Sequence, residues 1–241
     1  MSYTILTDGT NWKPLISVRD YKRLYDDDKG VNTGGMGSYA PVPWLSPELE
    51  QRIAEQIIEP TLAGLRAEGL NYRGFLYTGI MVDERGQPHV LEYNTRLGDT
   101  EGETILMMWE DDFAAVALRA ATGTIDDLQL HWKAGVAVSI AVAPKGYLQN
   151  PVTTPVNLPF PTLESVKCFG SIIARDGSNR LTTAAGRMAC VSAVGSNGAE
   201  ARKRAYDVAR RLDRFGRLYY RKDIGRELEQ CPLRISERDA A

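Results

Sequence analysis

The sequence predicts an α+β fold, and three observations carry that prediction. Two β-prone runs, residues 3–6 and 15–18, flank an Asp8-Gly9 turn signal and read as a hairpin. Leu49, Ile53 and Ile57 recur at the four-residue spacing of a buried helix face. Further along, strand-like and helix-like segments follow one another without the regular alternation of a doubly wound sheet.

The remaining elements follow in order. Residues 20–42 are rich in Asp and Gly and show no sustained period, so they read as a long loop of the kind that carries function. Ser46 is the expected helix cap and Pro47 suits the first helical position. Pro60 should kink or divide that helix, because it lacks the N–H that an interior position donates. Residues 74–82 and 89–94 read as strands joined by the turn Asp83-Glu84-Arg85-Gly86, and 101–122 as a helix ending near Gly123. Composition shifts over 124–133, where a domain boundary is expected. A strand at 134–143, a Pro-rich connection at 151–161, a strand at 187–194, a helix at 199–212 and a charged helical tail complete the chain.

Composition narrows the function. A chain of 241 residues buries about 70–75% of its unfolded surface, so it needs no disulfide or metal to fold. A formal net charge of −2 argues against nucleic-acid binding by bulk electrostatics. No run approaches the length of an uncharged membrane span, and the N-terminus lacks the pattern of a signal peptide. Cys168, Cys190 and Cys231 have no regular spacing and fit reduced thiols in a cytoplasm, with Cys190 a small core residue. Only His89 and His131 are present, which nearly excludes histidine-rich metal sites and Ser–His–Asp triads. Any chemistry must then rest on carboxylates, a metal, basic side chains and backbone amides.

Two segments suggest such chemistry. Side chains alternate along a strand, so Val90, Glu92 and Asn94 should share one face, with Leu91 and Tyr93 on the other. A carboxylate and an amide oxygen two residues apart can reach one hard cation such as Mg²⁺, whose shell is completed by water and phosphate. Alone, that triplet also reads as an ordinary amphipathic strand; Arg96 and Asp99 just downstream add an anion clamp and a further acid. The second segment runs from Asp20, Lys22 and Arg23 to Asn32, Thr33, Gly34, Gly35, Met36 and Gly37. Its glycines could let backbone N–H groups converge on an anion, or could serve only a surface turn. It is neither a P-loop nor a dinucleotide fingerprint.

Together these segments resemble the glycinamide ribonucleotide synthetase (phosphoribosylamine–glycine ligase) family. Asp20-Tyr21-Lys22-Arg23 resembles its D-H-K-R, and Asn32 to Pro41 matches N-T-G-G-M-G-[AS]-Y-[AS]-P. Gly74-Phe75-Leu76-Tyr77 matches G-F-L-Y, and Glu92 to Asp99 resembles E-[FY]-N-x-R-[FL]-G-D. Arg221-Lys222-Asp223-Ile224-Gly225 matches a motif near the family's C-terminus. The motifs fall in family order along nearly the whole chain. They depart from it at Thr100, at Leu148, around Cys168 to Ser171, and at Ala184-Ala185-Gly186-Arg187, where the family has N-G-G-R.

The resemblance implies the C-terminal lobe of an ATP-grasp domain over residues 1–125 and a small α+β C-terminal domain over 126–241. It implies ATP-dependent joining of glycine to 5-phosphoribosylamine through a glycyl phosphate, in de novo purine biosynthesis. Glu92 and Asn94 would hold Mg²⁺ or Mn²⁺ on ATP, and Arg96 would stabilise the glycine carboxylate or its acyl phosphate. Asp20 would meet the glycine amino group, with Lys22 and residues 32–37 on the substrate side. The family's first half is not in this sequence. The expectation is therefore a split enzyme or a piece of a longer one, needing a polypeptide that supplies the N-terminal half. The alternative is a non-catalytic relative acting as a binding or regulatory subunit.

Overall fold

The structure, a computed structural model, describes residues 1–156 and 164–229. The hairpin forms from β1 (Ser2–Thr7) and β2 (Trp12–Pro14), with Ile5 opposite Pro14. Its second strand comes earlier than residues 15–18. The Asp8 carboxylate accepts the amides of Thr10 and Asn11 and closes the turn tightly, so pairing resumes at Trp12. Leu15 and Val18 go into the core instead, and Val18 keeps one bridge to Ser2.

The loop expected over 20–42 holds short strands: β3 (Arg19–Asp20), β4 (Arg23–Tyr25), β5 (Lys29–Asn32) and β6 (Gly37–Ala40). Strands of two to four residues are too short to display a period. Ser46 caps α1 (Pro47–Ile53), its hydroxyl accepting the Leu49 amide at 3.2 Å. A wide π-helical turn, Ala54–Ile58, then leads into α2 (Glu59–Ala67), so the helix divides just ahead of Pro60.

Strands β7 (Gly74–Val82) and β8 (Pro88–Asn94) pair antiparallel around the Asp83 turn, as expected. The helix expected over 101–122 is in fact two, α3 (Glu101–Met108) and α4 (Phe113–Thr122). Trp109 takes an extended backbone, bridges Trp132 and packs on its ring at 5.1 Å, which turns the chain. Asp112 then caps α4 by accepting the Ala115 amide, and Gly123 ends it in the left-handed conformation.

After residue 133 come β9 (Val136–Pro144), β10 (Val166–Gly170), β11 (Ile173–Arg175), β12 (Leu181–Thr183), β13 (Ala189–Gly195), α5 (Gly198–Leu212) and β14 (Leu218–Tyr219). A 3₁₀ turn, Arg226–Glu229, ends the described chain. Part of the Pro-rich connection, Cys231 and the rest of the expected tail lie outside the described residues.

Two main sheets result, with order β2-β1-β7-β8 and β10-β13-β9-β6-β3, the latter extended by β14 on β9. The second sheet draws β3 and β6 from before residues 124–133 and β9, β13 and β10 from after them. Every pairing between these strands is antiparallel, in keeping with α+β.

Strand alternation sorts the core. Tyr3, Ile5, Leu76 and Ile80 face Leu49, Ile53, Ile58 and Leu62 of the α1–α2 segment. On the other face, Leu6 packs with Ile105, Trp109, Val116 and Ile125. In the second sheet, Val138, Ile140 and Val191 bury against Ala201, Ala205 and Val208 of α5. Each fully buried side chain of this size contributes about 1.5–3 kcal/mol. Helix α3 belongs to both sheets: Ile105 joins the first core, while Met107 and Met108 pack with Ala137 of β9. The seam between the sheets, where β8 ends and α3 begins, is where the polar residues gather.

Candidate active site

Register places Glu92 and Asn94 together. They lie opposite Gly79 and Tyr77 of β7, two residues apart on one strand, and so share one face. A β-bulge at Leu91 then breaks the alternation, because the next pair is Ile80 with Val90. Val90 therefore shares the Ile80 face and not the Glu92 face, against the expectation from simple alternation. Gly79 matters here: a Cβ on it would lie 3.2 Å from the Glu92 Cγ, so the glycine leaves room for that side chain. Strand β8 is a sheet edge, and its Leu91 and Tyr93 are exposed.

Lys22 meets this face. Its ammonium is hydrogen-bonded to the Glu92 carboxylate, lies 3.8 Å from Asp20 and sits 5.9 Å above the Tyr77 ring. Burial works to lower the Lys22 pKa, but the bond to Glu92 and the nearby carboxylates outweigh it and hold the pKa above its ordinary value. Asp20 is nine-tenths buried, and its Oδ2 has no hydrogen-bond partner among the described residues.

Behind them lies a buried polar layer. The Ser2 hydroxyl is 3.1 Å from both the Tyr77 hydroxyl and a Glu101 carboxylate oxygen. Burial first, and then the Asp20 charge, raise the Glu101 pKa. Two residues along, Glu103 is pushed up to about 7 by burial and by Asp99, and its Oε2 has no hydrogen-bond partner among the described residues.

The glycine segment is pinned rather than open. Arg187 Nη1 donates to the carbonyls of Gly34, Gly35 and Asp99, and Nη2 to the Asp99 carboxylate at 3.0 Å. Gly35 has φ +118, and a Cβ there would meet the Asp99 carbonyl at 2.7 Å. The amides of Thr33, Gly35 and Met36 donate to the Lys22 carbonyl, the Thr33 hydroxyl and the Tyr21 carbonyl. Those three N–H groups are spent within the segment and do not converge on an anion. Met36 is fully buried, Gly37 begins β6, and Asn32 is exposed on β5.

Of the expected site residues, the structure brings Asp20, Lys22, Glu92 and Asn94 to one face. Arg96 stands apart: it is exposed, and its guanidinium donates to the Leu97 carbonyl beside it. Sequence reasoning did not single out Ser2, Tyr77, Glu101, Glu103 or Arg187 as site residues. The one available signal was positional, since Glu101 and Arg187 keep their places in otherwise altered motifs.

Whether the residues suit a divalent metal can be judged from the donors. Glu92 supplies one carboxylate and Asn94 one amide oxygen on the same face, both hard ligands. The described residues contain no cluster of three or more His, Cys, Asp or Glu able to hold a metal alone. That set fits a cation delivered with phosphate oxygens, not one caged by protein.

Comparison with known proteins decides the family. Residues 1–102 match the family described as "Phosphoribosylglycinamide synthetase, ATP-grasp (A) domain", and residues 137–227 match "Phosphoribosylglycinamide synthetase, C domain". The chain belongs to the phosphoribosylglycinamide synthetase family.

Named relatives within that family agree. The phosphoribosylamine–glycine ligase of Vibrio vulnificus is 37% identical over 226 residues, covering 93% of this chain and 52% of the relative. That of Allochromatium vinosum is 40% identical over 226 residues, with the same coverage. A crystal structure of the Thermotoga maritima ligase superposes with a TM-score of 0.77 at 35% identity, covering 93% of this chain and 55% of the other. The biotin carboxylase domain of the Hydrogenobacter thermophilus 2-oxoglutarate carboxylase, solved with MgADP, matches at a TM-score of 0.57 and 16% identity, over 86% of this chain and 44% of that one. At that identity the likeness shows the shared fold alone. The chain thus has a mixed helix-and-sheet ATP-grasp fold and spans about half the length of the curated synthetase relatives it matches. No helix among the described residues is long and apolar enough to cross a membrane.

Proposed function

We propose that this chain contributes the metal-holding strand and the substrate-side segment of an ATP-dependent phosphoribosylamine–glycine ligase. The observation that carries this reading is the shared face of Glu92 and Asn94 at an exposed sheet edge, with Lys22 and Asp20 beside it. Residues 1–125 would form the C-terminal ATP-grasp lobe and 126–241 the C domain. The substrates would be ATP, glycine and 5-phosphoribosylamine. A cytoplasmic setting accords with the free thiols of Cys168 and Cys190.

In this reading Glu92 and Asn94 would hold the Mg²⁺ or Mn²⁺ that accompanies ATP. The metal, when bound, supplies charge neutralisation at the transferred phosphoryl group. Asp20, whose buried Oδ2 accepts no hydrogen bond among the described residues, suits the glycine ammonium. Lys22, hydrogen-bonded to Glu92, would supply a positive charge to phosphate beside the metal-holding pair. Arg96, free of any carboxylate partner among the described residues, has the reach and charge for the glycine carboxylate or its acyl phosphate. The pinned segment 32–37 forms a rigid wall on the substrate side. Such catalysis is mostly positioning and electrostatics, so half a clamp turns over slowly. The other half would come from a polypeptide matching the N-terminal part of the relatives. Nothing in the site favours a purely regulatory role.

The test is ADP release that depends on both glycine and phosphoribosylamine. The chain is assayed alone, then with a polypeptide supplying the N-terminal half, then with Glu92→Ala in that mixture. Activity confined to the mixture and abolished by the substitution is the expected result. A mixture that demonstrably associates yet stays silent would overturn the reading.

A further inference from the structure

We infer that Arg221 is a positioning residue, one that clasps the segment carrying Lys22 so that its side chain meets Glu92. Its consequence for turnover rests on the ligase reading above; its structural part does not.

Arg221 is 1% exposed, among the most buried large side chains of the protein. Its Nε and Nη2 donate to the two carboxylate oxygens of Asp223 at 2.8 and 2.6 Å. Its Nη1 donates to the Arg23 carbonyl at 3.0 Å and to Asp28 at 2.9 Å. The guanidinium lies 4.9 Å from the centre of the Tyr21 ring. One side chain thus touches the residue before Lys22 and the residue after it, from a position 198 residues away.

Neighbouring contacts reinforce the clasp. The Asp27 amide donates to Asp223, the Lys222 amide to Asp26, and the Gly225 amide to the Tyr21 hydroxyl, which itself donates to Glu227 at 2.6 Å. Lys22's own carbonyl is held by the Thr33 amide at 2.7 Å. The carbonyls of residues 21, 22 and 23 are thus each held, by the Met36 amide, the Thr33 amide and Arg221, and a flexible lysine side chain gains a defined starting point. A lysine at 221 would carry the charge but could not fork onto Asp223, reach Arg23 and lie flat on Tyr21 at once.

Hydrogen exchange on the chain itself tests this, with Arg221→Met and Arg221→Lys against wild type. Exchange over residues 20–33 should accelerate about tenfold in the Met variant and less in the Lys variant, with 136–144 and 189–195 unchanged. Wild-type protection over 20–33 in the Met variant overturns the proposal. So does equal acceleration in all three regions, since Arg221 would then be a general staple. In the two-part ligase, Arg221→Lys should lower turnover about tenfold when Lys22 is present and change it little in a Lys22→Met background; an equal loss in both backgrounds also overturns it. If wild type shows no glycine-dependent turnover, the ligase reading falls, and exchange alone decides the clasp.

Discussion

The Lys22 ammonium rests on the Glu92 carboxylate, although 70 residues separate them in the chain. The pair is half-exposed, with side-chain exposures of 35% and 44%, so its value to stability is small. Lys22→Met should therefore shift the unfolding midpoint by less than about 2 °C. Ligase turnover in the two-part enzyme should fall about a hundredfold, because a charge placed beside transferring phosphate is lost. Calorimetry and ADP release together check this, and a large thermal loss with intact turnover would contradict it.

Glu103 predicts a pH dependence. A carboxyl whose pKa is raised in the folded protein keeps its proton where the unfolded chain has released one. Its contribution is full below the ordinary value of 4.5 and is lost as pH rises toward about 7. Glu101, also raised, acts in the same direction. Glu103→Gln should flatten the stability profile between pH 5 and 7 and raise stability at pH 8 relative to wild type. Urea unfolding across that range is the measurement, and an unchanged slope would count against the assignment.

Gly35 and Gly64 form a contrasting pair. Gly35→Ala forces a Cβ to within 2.7 Å of the Asp99 carbonyl at φ +118, and should cost about 1–3 kcal/mol. Gly64 lies inside α2 with nothing within 4 Å of its missing Cβ, so Gly64→Ala should gain about 0.5–1 kcal/mol. Opposite signs in denaturant titrations are expected.

Arg187 holds the glycine segment to the start of α3 through four acceptors. Arg187→Met strands the Asp99 carboxylate and frees the carbonyls of Gly34 and Gly35, a loss of about 1–3 kcal/mol. Arg187→Lys should rescue little of it, because a point charge cannot span the same acceptors. Thermal unfolding of both variants decides, and full rescue by lysine would show that charge alone suffices.

Much of the fold is legible along the chain because its signals are local. The Asp8-Gly9 turn, the Ser46 cap with Pro47, the break ahead of Pro60 and the β7–β8 hairpin each act within a few residues. The same locality explains the errors. A bulge at Leu91 moves Val90 to the other face, and the Trp109–Trp132 contact splits one expected helix into α3 and α4. The short strands within 20–42 have no period to read; β3 and β6 are placed by the sheet they join, and β4 and β5 pair only with each other.

The sequence by itself determined the longer helices and strands, the shared face of Glu92 and Asn94, and the ordered motifs that mark the family. Only the tertiary structure decided that Lys22 meets Glu92, that Arg187 pins Gly34 and Gly35, and that Arg221 grips both neighbours of Lys22. Periodicity, caps and turns are set by interactions a few residues apart. Contacts across 70 to 198 residues depend on how two sheets pack around α3, and no local pattern encodes that.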